Sequence, residues 1–142
     1  MKIIADENMP LVKELFADFG EVQTFPGREL GPEQLSDADV LLVRSVTPVN
    51  AALLDGSSIR FVGSATIGTD HVDQHYLAQR GIQFANAPGC NANAVVQYVL
   101  SVLFSLRPDW QSQTVGIVGC GNVGGRLYQT LQALGVNCRC YD

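Results

Sequence analysis

No run of lysine or arginine occurs anywhere in the 142 residues, and the formal net charge is −5. Nucleic acid and anionic membrane both demand clustered cations, so neither is the expected partner. Long hydrophobic runs are missing too. The most apolar stretch, residues 94–106, is broken by Gln97, Ser101 and Ser105 and is too short to cross a bilayer. The start, Met1-Lys2-Ile3-Ile4-Ala5-Asp6, turns acidic at once and lacks the apolar segment of a secretory signal, so a soluble, cytoplasmic protein is expected. Cys90, Cys120, Cys138 and Cys140 form no C-x-x-C pair and no dense staple pattern, and are expected reduced. Alternation puts Cys138 and Cys140 on one face of a strand, most simply as small core residues. No Ser/His/Asp or Cys/His nucleophile constellation is present. His71 and His75 are spaced like a metal pair, but the glutamate that a zinc protease needs after the first is absent and no third ligand is evident. They read as solvated helix histidines, and no metal is expected.

With 46% hydrophobic and 16% charged residues, the chain has the material for a real core. Residues 2–5 read as a strand, with Pro10 opening a helix to about residue 18. Residues 21–25 are strand-like and stop at Pro26-Gly27. The unbroken apolar run 40–43 is the pattern of a strand covered on both faces. A short helix over 50–54, a strand over 60–63, a helix over 71–80 capped by Asp70, and a strand over 82–85 follow. Residues 93–106 are helical, with Gln97, Ser101 and Ser105 as one narrow polar stripe, so this helix is expected to be buried on most sides, between domains or between subunits. A strand over 114–118, a helix over 122–134 and a strand over 136–141 complete the pattern. Repeated strand–helix alternation predicts parallel βαβ units. The boundary falls near residues 87–93, giving domains of 1–92 and 93–142.

The densest chemistry lies in Gly119-Cys120-Gly121-Asn122-Val123-Gly124, a G-x-G-x-x-G between an apolar strand and a helix. Gly119 permits the tight turn, Gly121 lets the backbone approach a pyrophosphate, and Gly124 lets helix and strand pack closely. Free N–H groups around Asn122 and Val123 suit phosphate. Asp142 stands roughly twenty residues on, where a carboxylate takes both ribose hydroxyls and repels a 2′-phosphate, so the cofactor is read as NAD. Two further spots sit at carboxyl ends of parallel strands: Arg44-Ser45 after strand 40–43, and Thr66 in the loop after strand 60–63. Hydroxyls, loop amides and a guanidinium suit a small anion. Turn capping by Ser45 and Thr66, with Arg44 paired to a surface acid, explains them equally well from position alone.

Five segments carry a resemblance across the whole chain: residues 6–10 (Asp-Glu-Asn-Met-Pro), 43–47 (Val-Arg-Ser-Val-Thr), 68–73 (Gly-Thr-Asp-His-Val-Asp), 87–92 (Ala-Pro-Gly-Cys-Asn-Ala) and 114–119 (Thr-Val-Gly-Ile-Val-Gly). They resemble the D-isomer-specific 2-hydroxyacid dehydrogenases, within which the first two point to a subgroup handling a phosphorylated hydroxy acid. The resemblance implies an α/β protein: a flavodoxin-like parallel-sheet substrate domain followed by the first βαβ unit of a Rossmann NAD domain. Ser45 and Thr66 would match substrate positions, with Arg44 beside them for anionic groups, and Asp142 the NAD-ribose position. It also implies a homodimer, and catalytic Arg, Glu and His residues beyond position 142. No residue here is assigned those roles, and no imidazole is expected in position for proton transfer. Gln97 stands where the family usually has an acid, so any ion pair there is lost. A non-enzymatic NAD-binding module of corepressor type and an inactive truncated product remain as alternatives.

Overall fold

The computed structural model describes residues 1–142 in two units, Met1–Pro88 and Gly89–Asp142. Five strands build the first: β1 (Lys2–Asp6), β2 (Glu21–Phe25), β3 (Val40–Val43), β4 (Phe61–Ser64) and β5 (Gln83–Asn86). All neighbours run parallel, in the order β2-β1-β3-β4-β5. That is the flavodoxin-like doubly wound order, with ligands expected outside the carboxyl ends of the strands. Every residue of central β3 is buried, as its unbroken apolar run requires. Ile4, Leu41 and Val62 pack one face with Leu54 of α2 (Ala51–Leu54) and Leu77 of α3 (Gln74–Gln79). Ile3, Ala5 and Leu42 pack the other with Val12 and Phe16 of α1 (Val12–Phe16).

Two helices are shorter than the sequence predicts. The first does not open at Pro10, because Leu11 sits at φ 59°, in the left-handed region, and helical geometry begins only at Val12. The third does not begin at residue 71. Val72 is held in a parallel bridge to Val49, whose N–H donates to the His71 carbonyl and whose carbonyl accepts from Asp73 N–H. The helix starts after that bridge, and Asp73, not Asp70, caps it by accepting from Tyr76 N–H at 2.9 Å. It ends at Gly81 as anticipated, with Ile82 N–H bonded to Leu77 C=O and Gly81 N–H to Ala78 C=O. A 3₁₀ turn over Pro32–Leu35, unanticipated, buries Leu35 completely.

The second unit pairs parallel strands β6 (Val115–Val118) and β7 (Cys138–Tyr141), with α4 (Ala92–Leu106) and α5 (Asn122–Ala133). Its core is Trp110, Ile117, Leu131 and Val136, with Leu100 and Leu103 of α4 against it. The second unit by itself covers only one side of α4. Only Ala92 and Val96 are buried, while Tyr98 is 70% and Leu106 79% exposed. One apolar stripe is spent on the unit's own core, and the second unit covers little of the remaining apolar surface.

Candidate functional site

The first unit gathers polar groups at the carboxyl edge of its sheet. Because β3 and β4 are adjacent, with Ala65 N–H donating to Val43 C=O, the loops that follow them lie side by side. Between them is an open cleft of about 530 Å³ lined by Ser45, Thr66, Gly68, Asp70 and His71. Asn86 Nδ2 donates to the Ile67 carbonyl at 2.8 Å and Ala87 N–H to the Thr66 carbonyl at 3.3 Å. These bonds turn the loop carbonyls toward the protein, and the N–H groups of Ile67 and Gly68 meet no protein acceptor. Ser45 and Thr66, the two residues proposed for substrate, are therefore brought together beside unused donors.

Arg44 is not in that cleft. It lines a neighbouring cavity of about 330 Å³ with Asp6, Glu7, Asn8, Gly27 and Arg28. Its Nη1 lies 4.0 Å from Asp6 Oδ1, a loose ion pair to a buried carboxylate rather than to a surface acid. Successive residues leaving a strand point to opposite sides, which separates Arg44 from Ser45. Sequence reasoning passed over Asp6: Oδ1 accepts from Asn8 N–H at 2.8 Å, whereas the buried Oδ2 has no partner.

His71 also differs from its sequence reading. It is half-buried in the loop before α3, not solvated on a helix, and its Nε2 lies 3.1 Å from Ser64 Oγ. The ring lines the cleft that holds Ser45 and Thr66. Burial pushes the His71 ring below the usual histidine range, against a smaller upward pull from Asp70. His75, exposed on α3, bonds Gln79 instead. The bridge of Val72 to Val49 sets the two rings apart. The two capping aspartates three residues apart were the available signal that the helix had a second possible start.

In the second unit β6 breaks into the glycine turn. Gly119 has φ +90°, which excludes ordinary side chains. A Cβ at Gly124 would collide with the Gly119 carbonyl oxygen and lie 3.2 Å from Ile117 Cγ2, so α5 can approach β6 only as glycine. Cβ positions at Gly119 and Gly121 meet nothing within 4 Å, leaving the outer side of the turn open. No side chain caps α5, and its first turn closes with Gly125 N–H to Gly121 C=O. The N–H groups of Asn122, Val123 and Gly124 thus stand at an uncapped helix start, a good match to phosphate. Asp142 Oδ1 accepts from Cys120 N–H at 2.9 Å, which brings the acid to the turn. The residues present fit a dinucleotide.

The cysteines are not all free, contrary to the sequence reading. Cys120 and Cys140 are joined, with Cα atoms 6.5 Å apart, while Cys90 and Cys138 are free. The β6–β7 register sets Val118 beside Tyr141, and the turn then carries Cys120 back over Cys140. Only Cys138 packs in the core, and burial pushes its thiol up. Closing a loop with this 20-residue separation stabilises the second unit by about 3 kcal/mol, so reduction is expected to lower its urea midpoint, followed by Trp110 fluorescence. Equal midpoints with and without reductant, together with titration of all four thiols, would remove the pairing.

A parallel sheet with a donor-rich cleft at its carboxyl edge in the first unit, and a dinucleotide-type glycine turn in the second, are the parts that a dehydrogenase class uses. The chain belongs to the D-isomer specific 2-hydroxyacid dehydrogenases, matching the family's catalytic domain over residues 2–136. It is 59% identical over 142 residues to the erythronate-4-phosphate dehydrogenase of Cellvibrio japonicus (strain Ueda107), covering 100% of this chain and 38% of that one. It is 59% identical over 140 residues to the enzyme of the same name from Klebsiella pneumoniae (strain 342), covering 96% and 37%. The NAD+-bound 3-phosphoglycerate dehydrogenase of Entamoeba histolytica superposes with a TM-score of 0.75 at 27% identity, over 100% of this chain and 54% of that one. The chain thus spans little more than a third of the length of the curated relatives it matches.

Proposed function

We propose that residues 1–142 supply the substrate-holding unit and the first dinucleotide handhold of an enzyme that oxidises 4-phospho-D-erythronate at C2 to the 2-oxo acid, on the route to pyridoxal phosphate. The similarity of residues 1–142 to relatives of that name carries this reading. NAD, when bound, accepts the hydride that leaves C2. Ser45 and Thr66 hydroxyls and the Ile67 and Gly68 amides donate to the substrate carboxylate. Arg44, in the adjoining cavity, faces the remaining anionic end. Gly119, Gly121, Asn122, Val123 and Gly124 hold the pyrophosphate, and Asp142 the ribose diol. The C2 hydroxyl proton goes to an acid–base histidine, which the family resemblance places beyond residue 142, with its Arg and Glu partners. The exposed apolar surface of α4 supports a homodimer, and the enzyme acts in the cytoplasm. No nucleic-acid or membrane partner is involved.

Residues 1–142 alone are expected to reduce no NAD with 4-phosphoerythronate; steady reduction by this stretch would put the acid–base chemistry inside it. For the cofactor, Asp142→Asn tests the ribose contact. A charge-assisted hydrogen bond contributes about 1.5–3 kcal/mol, so NAD affinity is expected to fall roughly tenfold or more. The preference over NADP should narrow with it, since the charge opposing a 2′-phosphate is gone. Calorimetry of both cofactors with the parent protein and the variant reads both effects. An unchanged Kd for NAD would remove Asp142 from the ribose site.

A further inference from the structure

We propose that His71 is a positioning residue that sets, through Ser64, the direction in which Thr66 presents its hydroxyl hydrogen to an anionic oxygen in the cleft. This rests on the substrate reading of Thr66. Ser64 Oγ, on a side chain ending β4 and only 5% exposed as a residue, lies 2.8 Å from Thr66 Oγ1 and 3.1 Å from His71 Nε2. Thr66 Oγ1 has one alternative protein acceptor, the Gly68 carbonyl at 3.3 Å. Each hydroxyl carries a single hydrogen, so the three groups form a one-way chain whose sense is set at the His71 end.

When Nε2 is bare, Ser64 donates to it and has nothing left to give Thr66. Thr66 then donates to Ser64 or to Gly68 and turns a lone pair toward the cleft. An anionic oxygen is repelled by that arrangement. When Nε2 carries a hydrogen, His71 donates to Ser64, Ser64 donates to Thr66, and the Thr66 hydrogen is released for the ligand. An anion at Thr66 therefore selects the Nε2–H form, and by reciprocity a hydrogen on Nε2 strengthens anion binding. The surroundings leave this choice to the ligand. Around the ring, β4 presents neutral Ser64 and the loop after β3 presents neutral Ser45. Asp70, on the ring's own loop, is the one charged group acting on it. Burial disfavours the charged ring, against the smaller pull of Asp70. A bond that merely pinned the loop would leave the ring's response to an anion at Thr66 the same with or without Ser64.

The chain holds two histidines, so His75, on α3 and bonded to Gln79, is an internal control. Both imidazoles are titrated by proton–nitrogen NMR in the full chain, with and without saturating 4-phospho-D-erythronate, while the amides of residues 66–68 report binding. The ligand is expected to raise the protonation constant of His71 about threefold or more and leave His75 unchanged. Ser64→Ala should cut the His71 response to the part set by the anion's direct field while the amides still shift, and Ser64→Thr should restore it. Amide shifts with an unmoved His71 overturn the relay and leave the substrate reading standing. Absence of any amide shift overturns the substrate reading, and the relay with it.

Discussion

Alanine at position 124 is expected to cost the second unit about 1–3 kcal/mol and to weaken NAD binding by at least tenfold, the energy being that of forcing a methyl group into a filled space. The added Cβ has nowhere to go. It meets the Gly119 carbonyl oxygen, which is backbone and cannot rotate away, and Ile117 Cγ2 on the far side. Relief requires α5 to move off β6. That movement carries the N–H groups of Asn122 and Val123 away from the turn they complete, so stability and cofactor affinity fall together. Urea unfolding and NAD calorimetry on the same preparation check the coupling. A variant that loses stability but keeps parental NAD affinity would separate the close packing from phosphate recognition.

The second large effect is expected at Trp110, the sole tryptophan and only 2% exposed. Trp110→Ala should lose about 3–5 kcal/mol, the usual cost of emptying a large buried aromatic site. Its ring packs with Ile117, Leu131 and Val136 and meets Phe104 edge-to-face, with centroids 5.1 Å apart. Nε1 is buried without an acceptor, so part of the cost of holding the indole is already present in the parent. Trp110→Phe removes that unmet donor while keeping an aromatic ring, and should lose roughly half as much or less. Circular dichroism during urea unfolding reads all three proteins alike, since the variants lack the fluorophore. Equal losses for alanine and phenylalanine would show that the indole nitrogen contributes more than its surroundings indicate.

What was legible in the sequence was local. The apolar run of Val40–Val43 announced a strand covered on both faces, and the sheet places it centrally. The glycine turn was readable because every constraint on it lies within a few residues of Gly119. The start of α3 was not, since Asp70 and Asp73 are both competent caps and the choice depends on Val49, a neighbour only after folding. That one long-range bridge also takes His71 off the helix surface and into the cleft lined by Ser45 and Thr66. The Cys120–Cys140 pair was hidden for a similar reason: it follows from strand register, not from cysteine spacing. The apolar character of α4 could be read, but what covers Tyr98 and Leu106 is a property of neighbours, not of the helix.

Asp142 joins two tasks in one carboxylate. Its Oδ1 already fastens the glycine turn through Cys120 N–H, while the same group is proposed to select the ribose. A substitution meant only to admit a 2′-phosphate therefore also acts on the loop that must hold the pyrophosphate. A replacement at position 142 that keeps an acceptor oxygen, such as asparagine, is expected to hold the turn while removing the charge, whereas one without an acceptor needs a second change that re-anchors Cys120.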